Sequence, residues 1–551
     1  MNGADLIAKI LKMEGLEILP AFPHSDLIDS CAKEGIRPII VRQERQALHI
    51  ADGYTRISAG QRLCCTTVQY GPGSENAAGA VAQCYADNVP VLHIPGGYPA
   101  HDAHVSPNYR ASDSQRTITK WCATVPDIGR IPLMMQNAMS VLRNGRPGPV
   151  TLEVPADLFV SEAGAEHLSA YRTVSRSAPV ADTASLEHLA DILLDAENPV
   201  IVAGQGILYS RACEALRNLA DMMKIPVIST LNGKGCFPED HELSLGCGGG
   251  SRPDVVNAYL DKADVLVGLG TSFTRSEYIT PFPTRGKRIV QLTNCENDIG
   301  KDYPADLGII GDARASMSVL IDILSARAGA RDGRRQHVVR DIFEMKQRFS
   351  QAWRPLLESD EVPINPYRVI GDLMKTVDRD RTVVTHDAGS PRDQMTAFFE
   401  TTIPHGYIGW GKTTQLGMGL GLVQGAKLAR PEWDAINVMG DAAIGMVGMD
   451  FETGVRNRIG TTTIILKNGL MGGYSKYHPN ASEKYGIEVL GGDYRELAQA
   501  LGGYGERVER PRDIAPAIKR ALKRNREGVP ALLEVVTREE SRIPKNLPSC
   551  L

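Results

Sequence analysis

Short apolar runs rich in β-branched residues recur along this chain, each followed by a segment of helical periodicity, and this alternation limits the fold more than any other feature. RPIIV (37–41) precedes a helix-like 44–56, CCTTV (64–68) precedes 75–86, and VPVLHIP and PVTLEVP follow. NPVIVAG, IPVIST, ADVLVGLG, KRIVQL and LGIIG make a second series between about 199 and 311. TVVTHD, AINVMGD, TTTIILKNG and ALLEVV make a third. Continuous apolar strands separated by helix-length segments predict parallel sheets covered by helices on both faces. The expected fold class is α/β, with three consecutive doubly wound parallel-sheet domains. A polar stretch without a sustained period breaks the pattern near 160–185, and an Arg-rich segment beyond 325 breaks it again. The expected domains are 1–165, 183–330 and 360–538, followed by a charged, Pro-containing tail at 539–551.

The charge balance restricts partners. Sixty-one basic and 65 acidic residues leave a formal charge of −4, and no long Lys/Arg run is present. Such a chain carries no electrostatic footprint for nucleic acid or an anionic membrane, so a small molecule is the expected partner. The ten cysteines include no C-x-x-C pair, and they read as small core residues of a protein in a reducing compartment. No segment reaches 18 uninterrupted apolar residues and the start lacks a signal-peptide stretch, so the expectation is a cytoplasmic protein outside the membrane.

Chemistry concentrates in the third series. AINVMGDAAIGM puts Asp441 just after a buried strand, at a small-residue turn expected to open a helix ending near Arg458. TTTIILKNG puts Asn468 at the end of the next strand. In a βαβ unit both side chains emerge at the C-terminal edge of the sheet, where open α/β sheets bind ligands. A carboxylate beside an amide oxygen suits Mg²⁺, which takes oxygen ligands and shares them with a diphosphate. Small residues at 442, 443 and 445 let backbone N–H groups approach phosphate. The plainer reading makes Asp441 an N-cap and Asn468 a turn former.

Gly440-Asp441-Ala442 followed by Lys467-Asn468, with Asp441 and Asn468 27 positions apart, resembles the GDG-to-NN signature of thiamine diphosphate enzymes. The resemblance implies a third metal ligand at the backbone carbonyl of Leu470, and it places Gly440, Ala442, Ala443 and Ser390 at the cofactor. Two positions depart from the pattern, Ala442 for the last Gly and Lys467 for the first Asn, and neither is a metal-ligating side chain. VRQERQALHIADGYTR is similar to the family segment around the glutamate that touches the cofactor's aminopyrimidine, which implies that role for Glu44. A carboxyl at the pyrimidine N1′ favours the imino tautomer, whose nitrogen can remove the thiazolium C2 proton. QYGPGSENAAGA resembles the next element, with Gly71 shaping the turn, Asn76 beyond it, and Gln69 where some members carry an active-site His or Thr. PAFPHSDL puts His24 and Ser25 at the first strand-to-helix loop, His24 as a candidate acid/base and Ser25 facing substrate. GWGKTTQLGMGLGLVQGAKLA is similar to the stretch whose bulky residue, here Leu416, wedges the cofactor into a bent form, with the backbone of Thr414 and Leu416 on the pyrimidine.

The resemblance spans about residues 4–538, in the domain order of the acetolactate synthase, pyruvate oxidase and benzoylformate decarboxylase-like group. It implies thiamine diphosphate and Mg²⁺ as cofactors and a lyase or carboligase acting on a 2-oxo acid or related donor. A 2-hydroxyacyl-CoA lyase, a cyclic-diketone hydrolase and a catalytically silent regulatory subunit are the alternatives. It also implies a homodimer or homotetramer whose sites are shared between subunits. Ser106-Pro107-Asn108 stands where acetolactate synthases have Phe-Gln-Glu, so a substrate-facing glutamine is missing. Tyr474 and His478, at i, i+4 spacing past Asn468, are candidate substrate contacts. Gly204-Gln205-Gly206 fails the dinucleotide pattern at Tyr209, and whether FAD or a CoA-type nucleotide binds the middle domain is left open.

Overall fold

A computed structural model describes residues 1–551 except His24, Glu277, 328–334 and 545–551. Its strands are β1 (Ile18–Phe22), β2 (Arg37–Ile40), β3 (Cys64–Val68), β4 (Val91–Gly97), β5 (Trp121–Thr124) and β6 (Val150–Pro155) in the first domain. The central domain carries β7 (Pro199–Ala203), β8 (Val227–Ser229), β9 (Ser244–Cys247), β10 (Val265–Leu269), β11 (Arg288–Thr293) and β12 (Leu307–Ile310). The third carries β13 (Thr382–His386), β14 (Tyr407–Ile408), β15 (Asp434–Gly440), β16 (Thr462–Lys467), β17 (Tyr504–Val508) and β18 (Ala531–Val536). Each set forms one six-stranded sheet, ordered β2-β1-β3-β4-β6-β5, β12-β11-β10-β7-β8-β9 and β14-β13-β15-β16-β18-β17. Every strand pairing is parallel, so the three-domain α/β architecture expected from the alternating runs is the one observed.

Two local features differ from the pattern read along the sequence. The helix opened by Asp441 stops at Val447, a short 3-10 turn follows, and a second helix runs Phe451–Asn457 with Arg458 in a left-handed cap. Buried Asp450 causes the break, since its carboxylate accepts from the Arg42 N–H (2.8 Å) and the Thr453 hydroxyl (2.9 Å). The Arg-rich connector contains a 21-residue helix, His337–Leu357, which buries Val338, Ile342 and Trp353. The tail up to Pro544 is pinned as well: Tyr367 Oη donates to Arg542 O (2.5 Å), and Arg542 lies over the Trp353 ring.

First and third domains share one core. Ala47, Leu48, Ala51 and Tyr54 pack with Trp410, Leu422, Val423 and Ala426. The helices carrying them, Glu44–Ile57 and Met418–Ala429, touch backbone to backbone. A Cβ on Gly53 would lie 2.1 Å from Leu422 O, and one on Gly425 only 2.0 Å from Ile50 O, so only glycine allows this approach. Beside the crossing, buried Arg56 bridges Asp52 (2.5 Å) and Asp87 (3.0 Å) and donates to Gly409 O of the third domain (3.2 Å), and Asn232 of the central domain donates to Asp87 (3.0 Å). All three domains therefore meet around one guanidinium. Among the described residues, no helix is long and apolar enough to cross a membrane.

Candidate active site

The first-domain residues singled out above collect at one sheet edge. β2, β1 and β3 are neighbours, and the chain leaves their C-terminal ends before Glu44, after Phe22 and at Gln69. Glu44 is the first residue of its helix and is buried. Asn76, on the helix Pro72–Ala86, donates from Nδ2 to Glu44 Oε2 at 3.1 Å. Gly73 fits between them: a Cβ there would stand 3.2 Å from Gln69 Cβ and 3.6 Å from Glu44 Oε1. Gly71 turns the chain with φ +64°, and its carbonyl accepts from Tyr109 Oη at 2.7 Å. Glu44, Gln69, Gly71 and Asn76 are thus brought together. His24 lies outside the described residues, and of Ser25 only the backbone is described, at the start of the helix Ser25–Lys33.

The third domain repeats this arrangement on β13, β15 and β16, again neighbours. Gly440 caps the helix Asp441–Val447. Asp441 is buried, and its two oxygens accept from Asn468 N (3.3 Å) and Gly469 N (2.9 Å) at the end of β16. Burial holds this carboxyl above the ordinary aspartate value, while the Gly469 and Asn468 amides oppose the shift. Asn468 Oδ1 accepts from Leu470 N at 2.9 Å, which closes the turn, and Leu470 bridges to Val489. Ala443 is buried and Ala442 half-buried. Ser390 opens the helix after β13, is exposed, and faces the same loop, 3.7 Å from where a Gly472 Cβ would stand. Tyr474 opens the short helix Tyr474–Tyr477 and His478 ends it, their rings edge to face at 5.2 Å, Tyr474 half-buried and His478 exposed.

Thr414 and Leu416 lie just before the helix Met418–Ala429, Leu416 half-buried between the shared core and the cluster of Ala443, Ile444 and Val447. Asp387 holds this segment. Its carboxylate accepts from Gly417 N and Gly419 N, both at 2.9 Å, and burial pushes its pKa up to about 6 against those N–H bonds.

The family model for the N-terminal thiamine pyrophosphate-binding domain matches residues 1–120, that for the central domain 186–320, and that for the C-terminal thiamine pyrophosphate-binding domain 387–535. A probable acetolactate synthase large subunit of Methanocaldococcus jannaschii is 30% identical over 572 aligned residues, covering 99% of this chain and 93% of that protein. The chain belongs to the thiamine pyrophosphate enzyme family. Glyoxylate carboligase of Escherichia coli O157:H7 is 28% identical, covering 98% and 94% of the two chains. Acetolactate synthase large subunit of Lactococcus lactis subsp. lactis is 26% identical, covering 100% and 95%.

In this thiamine pyrophosphate enzyme the sequence reading passed over Asp387, although THDAG places it one residue past a buried strand, as MGDAA places Asp441. It also passed over His49 and Gln83, whose partners lie in the third domain. His49, pushed down to about 4 by burial, has Nδ1 at 2.7 Å from Gln46 Oε1 and Nε2 at 2.7 Å from Gln415 Oε1. A neutral ring donates only once, and Gln46 Nε2 is buried without a partner. Turning the Gln46 amide over satisfies both groups, with His49 Nε2–H donating to Gln415.

Proposed function

We propose that this enzyme uses thiamine diphosphate and Mg²⁺ to break or form a C–C bond beside the carbonyl of a 2-oxo acid, as a decarboxylase and carboligase. The observation that carries this reading is the double arrangement at the two sheet edges: Glu44 held by Asn76 on one, Asp441 beside Asn468 on the other. The residues fit the groups. A carboxylate, an amide oxygen and the Leu470 carbonyl are the oxygen donors a hard cation takes. A Cβ at Gly440 or Gly445 would meet nothing within 4 Å, which leaves the surface beside Ala442 and Ala443 open.

In this reading Asp441, Asn468 and Leu470 hold Mg²⁺, and Gly440, Ala442, Ala443 and Ser390 flank the diphosphate. Leu416 and the Thr414 backbone support the ring end. The bound cofactor supplies a carbon nucleophile and an electron sink. Asn76 occupies Glu44 Oε2, which leaves Oε1 to hold and pass a proton at the pyrimidine. Gln69, His24, Ser25, Tyr474 and His478 are assigned to the substrate side. The relatives' printed names, acetolactate synthase and glyoxylate carboligase, support carboligation.

The assembly we propose is a homodimer or homotetramer with sites shared between chains. Met446, Met449, Tyr477, Tyr485 and Val489 are exposed apolar side chains near the Asp441 edge, which supports covering by a second copy. The domain limits are taken as 1–165, 183–330 and 360–538. The nine described cysteines are free thiols, which supports a cytoplasmic setting. A cavity of about 410 Å³ between the domains is lined by Arg143, Arg146, Arg176 and Lys412 against Asp298 and Asp312. Arg143, Arg146 and Arg176 are paired with Glu14, Asp298 and Asp312, which leaves Lys412 to meet the phosphates of FAD or a CoA-type nucleotide there, and absorbance near 450 nm tests for the flavin.

The deciding experiment supplies thiamine diphosphate and Mg²⁺ and screens pyruvate, glyoxylate, aromatic 2-oxo acids, 2-hydroxyacyl-CoA thioesters and cyclic diketones. Cofactor-dependent CO₂ release or ligation from a 2-oxo acid is expected. Turnover confined to thioesters or diketones moves the assignment to the lyase or hydrolase, and absence of thiamine diphosphate binding overturns it.

A further inference from the structure

The segment Thr413–Leu416 belongs to no helix or strand, yet it carries Leu416. Asp387 fixes its far end. Its near end is held by the first domain through Gln83, which is 1% exposed. Gln83 Oε1 accepts from Thr413 Oγ1 at 2.7 Å and from Gln415 N at 3.3 Å, across 330 and 332 residues of sequence. The amide cannot face the other way. Its Nε2 donates to Asp87 Oδ2 at 2.7 Å, and a carboxylate offers only acceptors, so the carbonyl oxygen must point at the segment. Asp87 is immobilised in turn by Arg56 Nη2 (3.0 Å) and Asn232 Nδ2 (3.0 Å). The acceptor capacity of Gln83 is thus directed entirely at the third domain.

We propose that Gln83 is a positioning residue: through Thr413 and Gln415 it sets the placement of Leu416, the residue assigned to the bend of the cofactor. The inference rests on that assignment. A misplacement there affects rate more than binding, because Leu416 orients the reacting groups while the affinity comes from the cation and the diphosphate. Gln83→Met keeps length and volume and removes the acceptor. Gln83→Glu keeps an acceptor oxygen toward the segment, with two carboxyls sharing a proton where the amide met Asp87.

The test reads amide hydrogen exchange at Gln415 in the protein without cofactor, thiamine diphosphate affinity by calorimetry, and kcat and KM. For Gln83→Met we expect Gln415 exchange about three- to tenfold faster, the worth of one ordinary hydrogen bond. We expect kcat about 10- to 100-fold lower. Cofactor affinity and KM should move less than about threefold, because the groups that bind are untouched. Gln83→Glu should recover exchange protection and most of kcat. Wild-type exchange and kcat in Gln83→Met overturn the proposal. So does a joint fall of kcat, cofactor affinity and stability that Gln83→Glu does not relieve, the pattern of general packing loss. If Gln83→Met does not fold, Thr413→Val removes the hydroxyl half of the contact from an exposed residue, and unchanged exchange and kcat in it overturn the proposal equally. Absence of thiamine diphosphate-dependent turnover in the wild type counts against the proposed function instead, and Gln415 exchange still decides whether Gln83 holds the segment.

Discussion

Replacing Gly425 by alanine should loosen the contact on which both halves of the candidate site depend. The new methyl would lie 2.0 Å from Ile50 O and 2.7 Å from Tyr54 N, where ordinary contact begins at 3.4 Å. Both obstacles are backbone atoms, so no rotamer change relieves them, and the helices Glu44–Ile57 and Met418–Ala429 must part by more than an ångström. Overpacking of this kind costs about 1–3 kcal/mol, and a backbone obstacle places it at the upper end. Alanine's higher helix propensity returns about 1 kcal/mol. The net loss of about 2 kcal/mol should lower the first melting transition by about 4–8 °C for a unit of 150–250 residues. Gly445→Ala is the matched control, since Gly445 is helical and a Cβ there meets nothing within 4 Å. Its cofactor-free protein should melt at or slightly above the wild-type temperature. Calorimetric melting of the three proteins without cofactor is the assay, and Gly425→Ala melting at or above wild type would refute the close crossing.

Other perturbations read single groups. Asp441→Ala should abolish thiamine diphosphate binding, and EDTA dialysis should do the same to the wild type until Mg²⁺ is restored; unchanged affinity by calorimetry defeats the metal assignment. Co-expressing Glu44→Gln with Asp441→Ala chains should regenerate activity in mixed dimers, up to one intact site of two, and no recovery in verified mixed dimers rejects sharing between subunits. His49 is held at about 4 in the folded chain against an ordinary 6.5, so its contribution is full above pH 6.5 and is lost as pH falls toward 4. The stability gap between wild type and His49→Gln should therefore shrink by about 2 kcal/mol from pH 7 to pH 5, and a constant gap in urea titrations sinks the buried neutral imidazole.

β1 enters the sequence reading only through the loop that follows it, and the strands that escaped it altogether, β5, β9, β14 and β17, are each a sheet edge. An edge strand has a neighbour on one side only, so it can be short and mixed in character: Trp121–Thr124 is half-buried throughout, and Tyr407–Ile408 spans two residues. Central strands such as Val91–Gly97, buried at every position, announce themselves as continuous apolar runs. The site divides the same way. Asp441 and Asn468 were legible because strand ends fix where a side chain emerges, and Glu44 and Asn76 because their segments match a known pattern. Gln83 and Asp387 were not, because their partners at 413–419 become neighbours only when the domains dock. No periodicity in sequence encodes that docking beyond the glycines at 53, 421 and 425, which read equally as ordinary helix-packing positions.

The central claim is that Glu44 activates a thiamine diphosphate held at the Asp441–Asn468 edge, and deuterium exchange at C2 of the bound cofactor tests it most directly. Quenched-flow NMR should show exchange in the wild type far faster than in free thiamine diphosphate. In Glu44→Gln, with fold and most cofactor affinity intact, exchange should be slower by two or more orders of magnitude, on the order expected for a lost acid/base group. Exchange at the wild-type rate in Glu44→Gln, or no acceleration over the free cofactor in the wild type, would contradict the account.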